Sequence, residues 1–334
     1  MPQIGIRDVA ARAGVSVTTA SYALNRPERV SSAAMAAVAD AVAELGYIPN
    51  VAARQLRAGK SMAVGMAVVN LGNPFYAELA LGAEHGAEEA GYSLVLGATQ
   101  DSAARELRYL DLFARQRVDG VLLAPISSSL DHLDVFAQRG VPVVLVDQVD
   151  PRGRLLSVAL DDVLGGRTAA EHLLASGCRR LLFLGGTFRI PQVRDRFEGF
   201  VEAVRFSSAA FSSIETVSMG PGLGRELGER ILAMPADERP DGIFAANDEL
   251  ALGVMQSLVR GGVSIPGEIA IVGYDDIPFA DAAVVPLTSV RQPTHRMGEC
   301  AAQLLIAAIR GDADVRSAGF EPELIVRAST RAVR

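Results

Sequence analysis

The sequence predicts an α/β protein: a small all-helical N-terminal unit, then a two-lobed body of doubly wound parallel sheets. Three observations predict it. Residues 6–45 read as short helices separated by Gly and Pro breaks, with no strand-like run. From Ser61 onward, apolar runs alternate with helical segments of about ten to fifteen residues, the pattern of βαβ units on buried parallel strands. The runs are too numerous for one comfortable sheet, so two sheets are expected.

Each element has a local reason. Asp8 to Ala13 is a helix with Val9 and Ala10 inward, and Gly14-Val15 is the turn, Gly supplying the positive φ of a tight corner. Ser16 caps a second helix running to Leu24, which Asn25-Arg26-Pro27 breaks. Ser31 caps a third, Ser32 to Leu45, stopped by Gly46. Asn50 caps a short linking helix over Val51–Ala58. Strands are expected at Ala63–Val69, Ser93–Gly97, Gly120–Ala124, Val143–Asp147, Arg180–Leu184, Glu215–Ser218, Gly242–Ala246 and Ile269–Tyr274. Leu156–Leu160 and Ser289–Arg291 read as crossover strands between lobes, and Glu323–Val326 as the last strand. The division is a head over 1–49, a linking helix over 50–60 and a body over 61–334. The first lobe takes about 61–160 and 291–320, the second about 161–290 and 321–334.

Composition narrows the function. With 334 residues, 49% hydrophobic, the chain can bury large cores. Its two cysteines, Cys178 and Cys300, form no Cys-x-x-Cys, which argues against a disulfide scaffold or zinc site and fits a reducing cytoplasm. No secretion signal and no run of eighteen apolar residues is seen, so no membrane partner is expected. Residues 1–60 carry seven basic side chains (Arg7, Arg12, Arg26, Arg29, Arg54, Arg57, Lys60) against four acidic (Asp8, Glu28, Asp40, Glu44). That is +3 in a chain of −7, so the rest carries −10. A basic head on an acidic body suits a polyanion partner for the head alone. Nothing points to an enzyme. There is no Gly-x-Ser-x-Gly or His-Glu-x-x-His, and His85, His132, His172 and His295 are scattered singly. Gly59-Lys60-Ser61 is no P-loop, because Arg54 stands where its first Gly belongs. Asp161-Asp162 and Asp275-Asp276 read as loop or pocket features, since adjacent strand residues point to opposite sides. No cofactor, metal or catalytic residue is expected.

The run Ile-Arg-Asp-Val-Ala-Ala-Arg-Ala-Gly-Val-Ser-Val-Thr-Thr-Ala-Ser-Tyr-Ala-Leu-Asn, Ile6 to Asn25, resembles the head of LacI-type (lactose/purine repressor) regulators. The match continues through Val30-Ser31, Leu45-Gly46-Tyr47-Ile48-Pro49-Asn50 and Ala53-Arg54-Gln55-Leu56. It extends into the body at Asn73-Pro74-Phe75-Tyr76, Arg117–Val121, Asn247-Asp248, Val272–Asp276 and Arg327–Thr330. The resemblance implies that the second helix enters the major groove of operator DNA, with Val17, Thr18 and Tyr22 toward base edges. The family often has Arg where Tyr22 stands. Tyr22 therefore either reads a base without a bidentate guanine contact or packs on phosphate and sugar. Ser16, Thr19, Ser21, Asn25 and Ser31 are implied phosphate contacts, which position without specifying. The linking helix, with Asn50, Ala53 and Arg54, is implied to fold when paired with its dimer mate on DNA, Leu56 wedging into the minor groove.

The body resembles periplasmic pentose-binding proteins, whose site lies at strand C-termini between the lobes. The implied effector contacts are Asn73, Phe75, Tyr76, Asp147, Gln148, Gln192, Arg196, Asn247, Asp275 and Gln292. Carboxylates, amides and a guanidinium can each bridge neighbouring hydroxyls, and aromatic faces can cover a sugar ring. Phe75 also reads as simple core and Asp147 as a turn or cap. Asp101 reads as a rim residue or, preferably, a helix cap, and Ile190 joins Gln192 at the mouth. Gln148 replaces the Arg that ribose-type pockets often carry there, which removes a charge. The implied function is a sugar-responsive DNA-binding repressor, working as a cytoplasmic homodimer on a near-palindromic operator. A regulator answering to a nucleobase or a protein partner stays open, and so does a transport-type sugar-binding protein, which the DNA-reading head disfavours.

Overall fold

The computed structural model describes residues 4–47, 60–126 and 129–331. The chain divides into two compact units, Met1–Ser61 and Met62–Arg334. The expected linking helix, with Asn50, Ala53, Arg54 and Leu56, lies outside the described residues.

The first unit holds α1 (Ile6–Ala13), α2 (Val17–Asn25) and α3 (Ser32–Leu45). α1 starts two residues before the expected Asp8, because Gly5 is its N-cap and donates its N–H to the Asp8 carboxylate at 2.8 Å. Ser16 and Ser31 cap as expected, accepting the N–H groups of Thr19 at 3.0 Å and Ala34 at 3.3 Å. Gly14 (φ 66°) and Gly46 (φ 61°) end α1 and α3 in the left-handed conformation. Val9, Ala10, Ala20, Val38 and Ala41 form the small core that fixes the three helix directions.

The second unit contains two parallel-rich sheets of six strands. The first is built from β1 (Ala63–Val68), β2 (Ser93–Ala98), β3 (Gly120–Leu123), β4 (Val143–Val146), β5 (Leu156–Leu160) and β11 (Ala318–Phe320), in the order β2-β1-β3-β4-β5-β11. The second uses β6 (Arg180–Gly185), β7 (Ala210–Glu215), β8 (Gly242–Ala245), β9 (Ala270–Asp275), β10 (Thr288–Arg291) and β12 (Glu323–Ile325), in the order β7-β6-β8-β9-β10-β12. Register is fixed by pairs such as Val64 with Leu94 and Gly120, and Leu181 with Phe211 and Gly242. In both sheets the chain order reverses beside the first strand, at β1 and β6, leaving a crevice at the strand C-termini. Helices cover the faces, among them α4 (Pro74–Glu89), α5 (Ala103–Gln116), α6 (Asp134–Gln138), α7 (Asp162–Ala175), α8 (Pro191–Arg205), α9 (Pro221–Leu232), α10 (Asp248–Arg260), α11 (Pro278–Asp281) and α12 (Thr294–Arg310). β5 leads into α7 against the second sheet, and β10 leads into α12 against α4 and the first sheet. β11 and β12 make a third crossing, near the expected lobe boundary at 320/321, although β11 itself is not among the expected strands.

The outer strand of the second sheet is Ala210–Glu215, not Glu215–Ser218. It is a mostly exposed edge strand whose apolar residues are interrupted by Ser212 and Ser213, so no apolar run marks it. Thr216 instead turns inward, its hydroxyl donating to the Gly185 carbonyl at 2.8 Å. β11 escaped notice for a similar reason: three residues, Ala-Gly-Phe, carry no periodicity and are held by pairing with β5.

Candidate functional site

The β1 and β4 ends supply the first lobe's share of the cleft. Asn73 is the N-cap of α4, its side-chain oxygen accepting the Phe75 N–H at 2.9 Å. Phe75 belongs to the core, with its ring edge-on to Tyr76 at 4.9 Å. The Tyr76 hydroxyl is held well above its ordinary pKa, by burial first and then by Asp147 and Asp275, which places it beside carboxylates of both lobes. Asp101 is not a helix cap: it sits in a left-handed turn (φ 53°), and Ser102 caps α5 by accepting the Arg105 N–H. The Asp101 charge adds a smaller upward pull to the Tyr76 hydroxyl. Asp147 follows β4 with φ 63°, a left-handed conformation uncommon outside glycine but open to Asp and Asn. Gln148, next in the chain, is buried.

From the second lobe, α8 presents Gln192 and Arg196. The Gln192 Nε2 donates to the Asp147 backbone oxygen and to Asp147 Oδ2 at 3.1 Å, a direct bond between lobes. Arg196 is buried beneath the cleft. Its Nε donates to Asp162 Oδ1 at 2.8 Å, one terminal nitrogen donates to the Ala246 carbonyl at 2.6 Å, and its guanidinium lies 3.7 Å over the Tyr274 ring. The same nitrogen stands 4.0 Å from Asp275. Asp275 ends β9 with φ 99° and accepts the Gln292 amide at 2.8 Å. Asn247 caps α10, its oxygen accepting the Leu250 N–H at 3.0 Å. The structure thus gathers Tyr76, Asp147, Gln192, Arg196, Asp275 and Gln292, and uses the buried Asn73 and Asn247 as helix caps.

Two members are not among the expected effector contacts: the sequence reads Asp162 only as a loop or pocket feature and Tyr274 only as part of a matching run. Asp162 starts α7 and holds both Arg196 and the Tyr274 hydroxyl, the latter at 2.7 Å. The available signal was a second carboxylate after the β5 crossover, where Asp161 alone suffices as cap by accepting the Leu164 N–H at 2.8 Å. Tyr274 precedes Asp275 on a buried strand, where a hydroxyl requires a partner. The two Asp pairs do point apart: Asp276 binds Arg291 and Arg327 while Asp275 enters the cleft.

Burial dominates the electrostatics. It pushes the Asp275 carboxyl up to about 6 and Asp147 well above the usual carboxylate range. Asp162 is raised for the same reason, with Arg196 and Tyr274 opposing the rise. Asp147 Oδ1, Gln148 Oε1 and Gln292 Oε1 have no hydrogen-bond partner among the described residues. Such atoms suit a ligand that donates hydrogen bonds.

On the head, Val17 and Tyr22 stand 45% and 37% exposed on α2, with Thr18 exposed between them. Thr19 and Ser21 are half-buried, and the Ser16 and Thr19 hydroxyls meet at 2.8 Å. α2 carries no charged residue, so this face offers methyl and hydroxyl groups to its target.

The profile of the bacterial regulatory proteins of the lacI family matches residues 5–50, and that of a periplasmic binding protein-like domain matches residues 170–330. The ribose operon repressor of Bacillus subtilis is 34% identical over 91% of this chain and 91% of its own length. The chain belongs to the LacI family. It is a DNA-binding transcriptional regulator with an effector-binding body. Another relative is the HTH-type transcriptional repressor PurR of Mannheimia succiniciproducens, 31% identical over 98% of this chain and 99% of its own. A LacI family transcriptional regulator from Enterococcus faecium with bound ribose matches 80% of this chain and 98% of its own, with 27% identity and a TM-score of 0.73. The lac repressor dimer bound to operator and the anti-inducer ONPF matches 98% of this chain and 99% of its own, with 26% identity and a TM-score of 0.86. Among the described residues, no helix of this LacI-family chain is long and apolar enough to cross a membrane.

Proposed function

We propose that this regulator represses genes of sugar metabolism and that a pentose or related polyol, held between the lobes, sets its operator affinity. The observation that carries the reading is the polar cluster spanning both lobes. Asp147 and Gln192 meet across the cleft, and Arg196, Asp275 and Gln292 stand with them around unpaired acceptors. A polyhydroxyl ligand donates from several positions at once and so serves acceptors on both lobes. The ribose named in a relative and bound in a structural neighbour supports the same class. The effector contacts are Tyr76, Asp147, Gln192, Arg196, Asp275 and Gln292, together with the helix caps Asn73 and Asn247. The operator contacts are Val17, Thr18 and Tyr22 at bases, and Ser16, Thr19, Ser21, Asn25 and Ser31 at phosphates.

In this reading the protein acts as a cytoplasmic homodimer and catalyses no reaction. Its two heads read the two halves of a palindrome, as the operator-bound dimer of a neighbour suggests. Effector binding biases the lobe arrangement, and the coupling free energy appears as a change in operator affinity. The PurR relatives keep a nucleobase effector as the second reading. A thermal-shift panel of pentoses, hexoses, polyols, disaccharides and purines tests the assignment, followed by operator binding by fluorescence anisotropy with each hit. A polyol that raises the Tm and alters operator affinity is the expected result. Stabilisation by purines alone overturns the sugar assignment.

A further inference from the structure

We propose that the cleft selects its effector by charge, taking an unphosphorylated polyol rich in hydrogen-bond donors and rejecting the phosphate ester of the same sugar. The proposal rests on the sugar reading above and adds the constraint that the site's own charges impose.

The cleft gathers three carboxylates, Asp147, Asp162 and Asp275, each at least nine-tenths buried. Among the described residues, the cation ion-paired to this group is Arg196, which contacts Asp162 at 2.8 Å and Asp275 at 4.0 Å. That guanidinium is already engaged by Asp162 and the Ala246 carbonyl, and Tyr274 covers one face. One engaged cation among three carboxylates leaves no surplus positive charge for a phosphate, which needs several charge-assisted donors when it leaves water. Gln148 and Gln292, both buried, contribute neutral amides and not the positive charge that Arg or Lys supplies to a phosphate. Their unpaired atoms are carbonyl oxygens, and the unpaired atom of Asp147 is a carboxylate oxygen. Each is an acceptor awaiting a donor. Gln292 and Asp147 are 4% and 5% exposed, and each is tied to the cluster by a hydrogen bond, Gln292 to Asp275 and Asp147 to Gln192. An incoming hydroxyl completes this arrangement, whereas a phosphate, which is all acceptor at neutral pH, meets acceptors and like charge. Burial comes first in the upward pull on the Asp147 and Asp275 carboxyls, and the Asp162 carboxylate adds to it at both, so a further anion would meet the same desolvation and like charge.

The test is isothermal titration calorimetry of the full-length protein at pH 7.5 with paired probes: D-ribose and D-ribose 5-phosphate, D-glucose and D-glucose 6-phosphate, D-fructose and D-fructose 6-phosphate. The expected result is that at least one neutral member binds and its phosphate binds at least a hundredfold more weakly. A phosphate that binds as tightly as its parent sugar, or more tightly, overturns charge selection and leaves the sugar reading standing. If no member of any pair binds while hypoxanthine does, the sugar reading itself falls and the proposal falls with it. Asp147→Asn removes one charge while keeping shape, and Asn tolerates the left-handed backbone at this position. It should narrow the ratio between sugar and phosphate at least tenfold. An unchanged ratio overturns the electrostatic origin of the discrimination.

Discussion

Asp275 concentrates the chemistry of the cleft in one side chain. Burial raises its carboxyl from an ordinary 3.8 to about 6, with Arg196 and Gln292 opposing the rise and Asp162 and Glu249 adding to it. A carboxyl whose folded pKa is raised binds its proton more tightly in the folded state. Its contribution to stability is therefore fully present below about 4 and is lost as pH rises through about 6. Over that window the effector-free body should lose on the order of 3 kcal/mol from this group, with Asp147 titrating in the same direction. Urea denaturation across pH should show the decline, and Asp275→Asn should flatten much of it. A second prediction concerns binding. Hydroxyl donors favour the ionised carboxylate, so affinity for the neutral effector should increase as pH is raised from 5 to 7. Asp275→Asn should weaken binding about tenfold or more and remove most of that pH dependence, as titration calorimetry would read directly.

Helix seating positions these side chains, and small residues control it. A Cβ on Gly166 of α7 would lie 1.9 Å from the Arg196 carbonyl of α8, and one on Gly199 of α8 would lie 1.9 Å from the Val163 carbonyl. α8 can therefore approach α7 closely enough for Arg196 to reach Asp162. Gly166→Ala should push the helices apart, with a loss of about 1–3 kcal/mol or more in a denaturant titration and weaker effector binding in calorimetry. Unchanged affinity in a destabilised variant would mean that this contact does not position the site. α4 and α12 meet in the same way, with Gly82 against the His295 carbonyl. Their closeness also brings together histidines that look scattered in the sequence. His85 and His295 have ring centres 6.2 Å apart, among Glu78, Glu89 and Glu299. Periodicity places each on its helix but says nothing of which helices touch.

For the body as a whole, three chain crossings and the Gln192 bond to Asp147 join the lobes. The crossings guide any relative motion, while the side-chain bond favours one arrangement in the absence of effector. Gln192→Ala should therefore open the effector-free cleft, seen as a larger radius of gyration in solution scattering, and should weaken effector binding about tenfold. An identical scattering profile and affinity would remove Gln192 from the mechanism. Operator affinity without effector offers a further check, because a change there would tie lobe arrangement to the head.

By itself the sequence determined the three-helix head, its caps and glycine stops, most of the parallel strands, and the two similar α/β halves. These rest on local causes: a hydroxyl three residues before an N–H, a glycine where φ must be positive, an apolar run long enough to cross a sheet. The same local logic, with the family resemblance, picked out Asp147, Arg196 and Asp275 at strand and helix ends. Tertiary structure alone decided the rest. It set the exposed edge strand β7 and the short β11, whose places come from pairing and not from pattern. It made Ser102, and not Asp101, the cap of α5. It also joined Asp162 to Arg196, 34 residues away, and to Tyr274, 112 residues away. A buried charge must find a partner wherever the fold brings one, and no local pattern records a distance of that kind.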